Sequence, residues 1–153
     1  MKTLRLILGD QLNHTHSWFE EINDDVIYCL FEMRQETDYV KHHIQKVVGF
    51  FSAMRNFSTK KKEENHQVIY YTINSEKNQQ NLVKNLHQII KENDIKRFEY
   101  QFPDEYRLDK QLTTFCSSLT IENQAFDSEH FYTDRAELKT FFEVKKQYLM
   151  ENF

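Results

Sequence analysis

Three groups of residues carry side chains able to do chemistry at short spacing: Glu32, Arg34, Tyr39, His42, His43 and Lys46; the turn Gly9-Asp10-Gln11; and Asp104-Glu105-Tyr106-Arg107. His42-His43 suggests a metal, but adjacent residues on a helix point about 100° apart, so the pair cannot chelate one ion as histidines four apart do. His43, Lys46 and Tyr39 share a helical stripe, which suits hydrogen bonding to a ligand; an ordinary helix surface is the alternative. Glu32 can accept hydrogen bonds from a polar ring, and Tyr39 can cover a flat ligand. Each alone is equally at home as a salt-bridged or half-buried surface residue.

Gly9-Asp10-Gln11 offers close backbone approach, a carboxylate and an amide, but a purely structural turn explains it as well. It is not a G-x-G-x-x-G fingerprint, and the chain has no phosphate-binding P-loop, so a conventional dinucleotide or NTPase site is discounted. Acids at 104 and 105 are expected at a helix start simply because they complement the helix dipole. Cys116, Ser117 and Ser118 have no local histidine, and the carboxylates form no pair. These residues point to a binding module rather than a catalyst.

The elements that must position them are short apolar strands alternating with helices. Residues 3–8, 25–31, 67–73, 97–102 and 120–126 read as strands, near-continuously apolar in the first two, as strands covered on both faces are. Residues 36–58 read as one long helix capped by Thr37 or Asp38, with Val40, Ile44, Val47, Phe51 and Met54 as its buried stripe. Residues 78–92 and a segment opening at 103–106 give further helices, and 134–153 reads as a helical tail. Lys60–Asn65 is read as a solvated loop. The alternation predicts an α/β fold, a doubly wound five-stranded parallel sheet with helices on both faces, whose ligands bind beyond the carboxyl ends of the strands.

Composition bounds the function. Twenty basic against 24 acidic residues give a net charge of -4, so no general field attracts nucleic acid. Two distant cysteines, Cys29 and Cys116, read as reduced core thiols. No apolar run approaches the roughly 20 residues that span a bilayer, so a cytoplasmic protein without membrane contact is expected.

Taken together, LRLILGDQLN at 4–13, FEMRQETDYVKHHIQK at 31–46, FFSAMRNF at 50–57, PDEYR at 103–107 and KKQYLMENF at 145–153 resemble the photolyase-related proteins of the cryptochrome/photolyase superfamily. The similarity is to the bacterial iron–sulfur branch that includes the prokaryotic (6-4) photolyases. It implies a Rossmann-like amino-terminal domain at 1–133 binding an antenna chromophore, 6,7-dimethyl-8-ribityllumazine. It also implies that 134–153 begins the connection to a carboxy-terminal domain carrying FAD, a 4Fe-4S cluster and the pocket for damaged DNA. By position, the implied chromophore contacts are Gly9, Asp10, Gln11, Leu12, Glu32, Met33, Tyr39, His43 and Lys46. The competing expectations are a chromophore-free domain supporting the flavin domain, and an unrelated nucleotide-binding domain of the same fold.

Overall fold

The computed structural model describes residues 1–38, 40–133 and 135–143, leaving the side chains of Glu36, Arg135, Ala136 and Leu138 undescribed. The chain forms five strands, the second apolar throughout and the last mostly polar: β1 (Thr3–Leu6), β2 (Val26–Phe31), β3 (Gln67–Tyr71), β4 (Arg97–Gln101) and β5 (Glu122–Phe126). They lie in the order β3-β2-β1-β4-β5, and every pair is parallel, as expected of a doubly wound α/β sheet. The helices are α1 (Arg34–Thr37), α2 (Ile44–Glu63), α3 (Leu82–Glu92), α4 (Tyr106–Ser118) and α5 (Arg135–Phe142). A 3-10 turn at Ser17–Phe19 is the only helical element between β1 and β2.

Because successive strand side chains point to opposite faces, the sheet feeds two cores. Leu4, Leu6, Ile27, Cys29, Phe31, Phe98 and Tyr100 pack against Leu82, Leu86 and Ile89 of α3 and Leu108, Leu112 and Phe115 of α4. Ile7, Val26, Tyr28 and Leu30 pack against Trp18 and against Phe51, Met54 and Phe57 of α2. β2 is buried along its whole length, which is why it reads as an unbroken apolar run. β5 is an edge strand whose first three residues are exposed and polar, a composition that discourages pairing with another sheet.

The single helix expected over 36–58 is instead two. In α1, Gln35 Nε2 donates to Gln111 Oε1 of α4 (2.7 Å), and its Oε1 accepts from the Leu82 amide of α3 (3.3 Å). α1 is therefore tied to the α3/α4 side, whereas α2 lies on the opposite face. The chain must cross the carboxyl edge of the sheet between them, which one straight helix cannot do. The cap of the long helix is accordingly not Thr37 or Asp38 but His43, whose Nδ1 accepts from the Gln45 amide (3.2 Å). Restarting at Ile44 leaves Phe51 and Met54 inward, but Val40 and Ile44 are 51% and 67% exposed.

Lys60–Asn65 is corrected as well: α2 runs through Glu63, and Lys61 is buried rather than solvated. Its helical spacing from Met54 and Phe57 puts it on the inner face. There its stem crosses aromatic surface, with Nζ 4.1 Å from the Phe19 ring centre and donating to the His14 carbonyl (3.1 Å) and Glu64 (2.7 Å). α3 begins at 82 rather than 78, where the Asn81 side chain caps the Lys84 amide (3.0 Å). Of the expected tail helix, α5 is described; Asp134 and residues 144–153 lie outside the described residues. Among the described residues no helix is long and apolar enough to cross a membrane.

Candidate functional site

After β1 the chain steps to β2 and β3 on one side, then returns past β1 to β4 on the other. The connections beyond β1 and β4 thus diverge, which opens a crevice at the carboxyl edge of such a sheet. A cleft of about 200 Å³ lies there. Its floor is the end of β1 (Leu6 to Gly9), with Phe31 and Met33 from the end of β2. One wall is α2, through Val47, Phe50, Phe51 and Met54; the other is Leu82 and Leu108 at the starts of α3 and α4. The same lining carries a few polar residues: Asp10, Thr37, His42, Lys46 and Glu105. An apolar slot with a few polar groups is the form of a site for a flat, partly polar molecule.

Four of the expected contacts, Gly9, Asp10, Met33 and Lys46, are brought together in this lining. Gly9 has no positive φ, so its backbone does not demand glycine. Space does: a Cβ there would lie 2.3 Å from Cζ and 2.5 Å from Cε1 of Phe50, and 2.9 Å from Met54 Sδ. Asp10 reaches solvent in part, but desolvation beside the cleft pushes its carboxyl pKa up, and the nearby carboxylates of Asp104 and Glu105 add to the rise. The Glu105 carboxylate is itself bridged by Arg107 (2.8 and 3.2 Å).

Gln11, Leu12, Glu32 and His43 are not among the lining residues. Gln11 is a buried clasp: its Oε1 accepts from the Leu8 amide (3.1 Å), and its Nε2 donates to the carbonyls of Gln101 (3.3 Å) and Phe102 (3.2 Å). It joins the β1 turn to the end of β4. Leu12 packs against the α2-side core. His43, exposed, caps α2. Tyr39 lies outside the described residues.

The Glu32 side chain is fully buried and already engaged. Arg55 of α2 grips both its oxygens, with Nη2 2.8 Å from Oε2; the Tyr70 hydroxyl donates to Oε1 (2.7 Å) and the Ile73 amide to Oε2 (2.9 Å). Burial alone would raise this carboxyl's pKa, but these hydrogen bonds outweigh it and hold the pKa below the ordinary carboxylate range. Burial, and after it the hydrogen bond to Glu32 and that carboxylate's charge, push the Tyr70 hydroxyl up, against a smaller opposing pull from Arg55. Glu32 thus fastens α2 to the β2–β3 edge and supports the α2 wall from behind.

His42 and Glu105, candidates by chemistry but not among the implied chromophore contacts, line the cleft, and so do Thr37 and Phe50, which the sequence did not single out as site residues. Phe50 follows Lys46 by four residues and His43 by seven, and that shared helical phase was the available signal. His42 lies in the segment between α1 and α2, and no local pattern announces its place in the lining. Among the described residues no three His, Cys, Asp or Glu side chains converge as a metal site.

Residues 5–153 match the family described as deoxyribodipyrimidine photo-lyase-related protein. The chain is also 27% identical over 156 residues to a protein of Agrobacterium fabrum (strain C58 / ATCC 33970) named (6-4) photolyase. That similarity takes in all of this chain and 30% of the relative, so the chain spans under a third of the relative's length.

Proposed function

Because the chain belongs to the deoxyribodipyrimidine photo-lyase-related protein family, we propose that it is an amino-terminal domain holding an antenna chromophore for a photolyase-related flavoprotein. The supporting observation is the apolar slot at the β1/β4 switch point, edged by Asp10, His42 and Lys46. An antenna domain needs no acid or base. Its task is to hold a planar ring rigidly and keep quenching water away, and Leu8, Met33, Phe50, Phe51 and Met54 suit a flat apolar face.

The candidate ligand is 6,7-dimethyl-8-ribityllumazine. At about 200 Å³ the cleft is below the roughly 300–1,000 Å³ typical of small-molecule pockets, so it encloses the ring and leaves the ribityl chain to the polar edge. There Lys46 and His42 can donate to ring carbonyl oxygens or hydroxyls, and Asp10 can accept from the hydroxyls. When bound, the chromophore supplies light absorption and through-space excitation transfer. On this reading FAD, a 4Fe-4S cluster and damaged DNA are partners of the remaining two-thirds of a full-length protein.

The test is to incubate the 153-residue chain with the ribityllumazine, remove free ligand by gel filtration, and record absorbance and fluorescence. Saturable, near-stoichiometric retention is expected, weakened about tenfold by Lys46→Met, the loss of one charge-assisted hydrogen bond of roughly 1.5 kcal/mol. Failure to retain the ligand at any concentration overturns the antenna reading and favours a domain that only supports the flavin domain.

A further inference from the structure

The contact between Gly9 and Phe50 asks for an explanation that the backbone does not supply. Gly9 occupies a conformation open to any residue, and yet its missing side chain is filled by the end of the Phe50 ring and by Met54 Sδ. Both partners line the cleft. Phe50 is 37% exposed, so one side of the ring presses on the β1 turn while part of it remains open to solvent. A partly open aromatic ring at the edge of an apolar slot offers a face on which a flat ligand can stack.

We propose that Gly9 and Phe50 form a width-setting pair: the glycine admits the ring across the β1 turn, and the ring placed there determines which planar heteroaromatic groups enter the slot. The inference rests on the reading of the cleft as a ring site, but not on the identity of the ring. An alanine at position 9 would put a carbon at a separation that real side chains do not tolerate. The ring, being partly exposed and hinged at its own Cβ, is what moves, whereas Met54 is 2% exposed and held by the core. A ring moved off the β1 turn no longer bounds the slot where a ligand needs it. A smaller side chain at position 50 removes the collision and part of the wall together.

The pair makes a suppressor prediction that can be read with riboflavin as a flat fluorescent probe as well as with the ribityllumazine. Gly9→Ala is expected to weaken binding at least tenfold, and Phe50→Leu to weaken it only about threefold. The double variant Gly9→Ala/Phe50→Leu should return to within about threefold of Phe50→Leu alone. Thermal unfolding should show the same pattern without ligand: Gly9→Ala lowers the midpoint, and adding Phe50→Leu recovers part of the loss. The Gly9 α-proton resonances, shifted by the ring current of Phe50, should move toward ordinary glycine positions in Phe50→Leu. Additive losses in the double variant, or Gly9 resonances indifferent to Phe50→Leu, overturn the pair. If no probe binds the parent chain, the antenna reading falls, while the unfolding coupling and the resonances still decide the pair.

Discussion

Replacing Arg55 by alanine should destabilise the chain by about 3 kcal/mol, and the figure follows from the Glu32 cluster. The substitution removes both guanidinium bonds and leaves a fully buried carboxylate with the Tyr70 hydroxyl and the Ile73 amide. Hydrogen bonds to charged groups contribute roughly 1.5–3 kcal/mol each, and stripping one partner from a buried pair costs about 3–5 kcal/mol. Arg55 is itself 55% exposed, so water can reach the vacated position and screen what remains, which puts the loss at the lower end. For a chain of this size about 3 kcal/mol lowers the melting midpoint by roughly 6–12 °C.

The assay is urea unfolding followed through Trp18, the one tryptophan, with Arg55→Lys as the variant that keeps the charge but loses the fork. The pH dependence sharpens the test. Glu32 has a folded pKa below its ordinary 4.5, so its contribution is fully present above that value and is lost as pH falls through the folded pKa. The gap between parent and Arg55→Ala should therefore be widest at neutral pH and narrow in strong acid. A variant within about 0.5 kcal/mol of the parent at pH 7, or a gap unchanged on acidification, would refute the reasoning.

Gly49 lies within α2 with nothing within 4 Å of where its Cβ would be, so Gly49→Ala should raise stability by about 0.5–1 kcal/mol in the same unfolding assay. His66 and His14 both have pKa values lowered from 6.5, first by burial and then by nearby cations, Lys61 for His66 and Lys60 followed by Lys61 for His14. The unfolded chain therefore takes up their protons at higher pH than the folded one, so stability should decline as pH falls below 6.5 toward the folded values. Imidazole NMR titrations should place both transitions under 6.5, and His66→Gln should flatten the decline.

Much of the architecture was legible because it is written in local period. Near-continuous apolar runs such as Val26–Phe31 mark strands covered on both faces, and Leu108, Leu112 and Phe115 recur at the spacing of one helix face. The turn at Gly9-Asp10 and the importance of residues 31–57 could be read in the same way, since both follow the ends of apolar strands. Local period failed at the break between α1 and α2. Nothing in Asp38 to His43 stops a helix as a proline would; the break exists because α1 is held by Gln111 and Leu82 while α2 packs on the other face.

By itself, then, the sequence determined the strands, the alternation that makes the sheet parallel, and the family, because each depends on residue order along the chain. The strand order β3-β2-β1-β4-β5, and with it the position of the cleft, was decided only in three dimensions. So was the assignment of each polar group. Glu32 and Gln11 have the chemistry of ligand contacts, but their side chains meet Arg55, Tyr70 and the carbonyls of Gln101 and Phe102 first. Those partners lie far away in sequence, and a buried polar group must take whichever partner the fold brings to it.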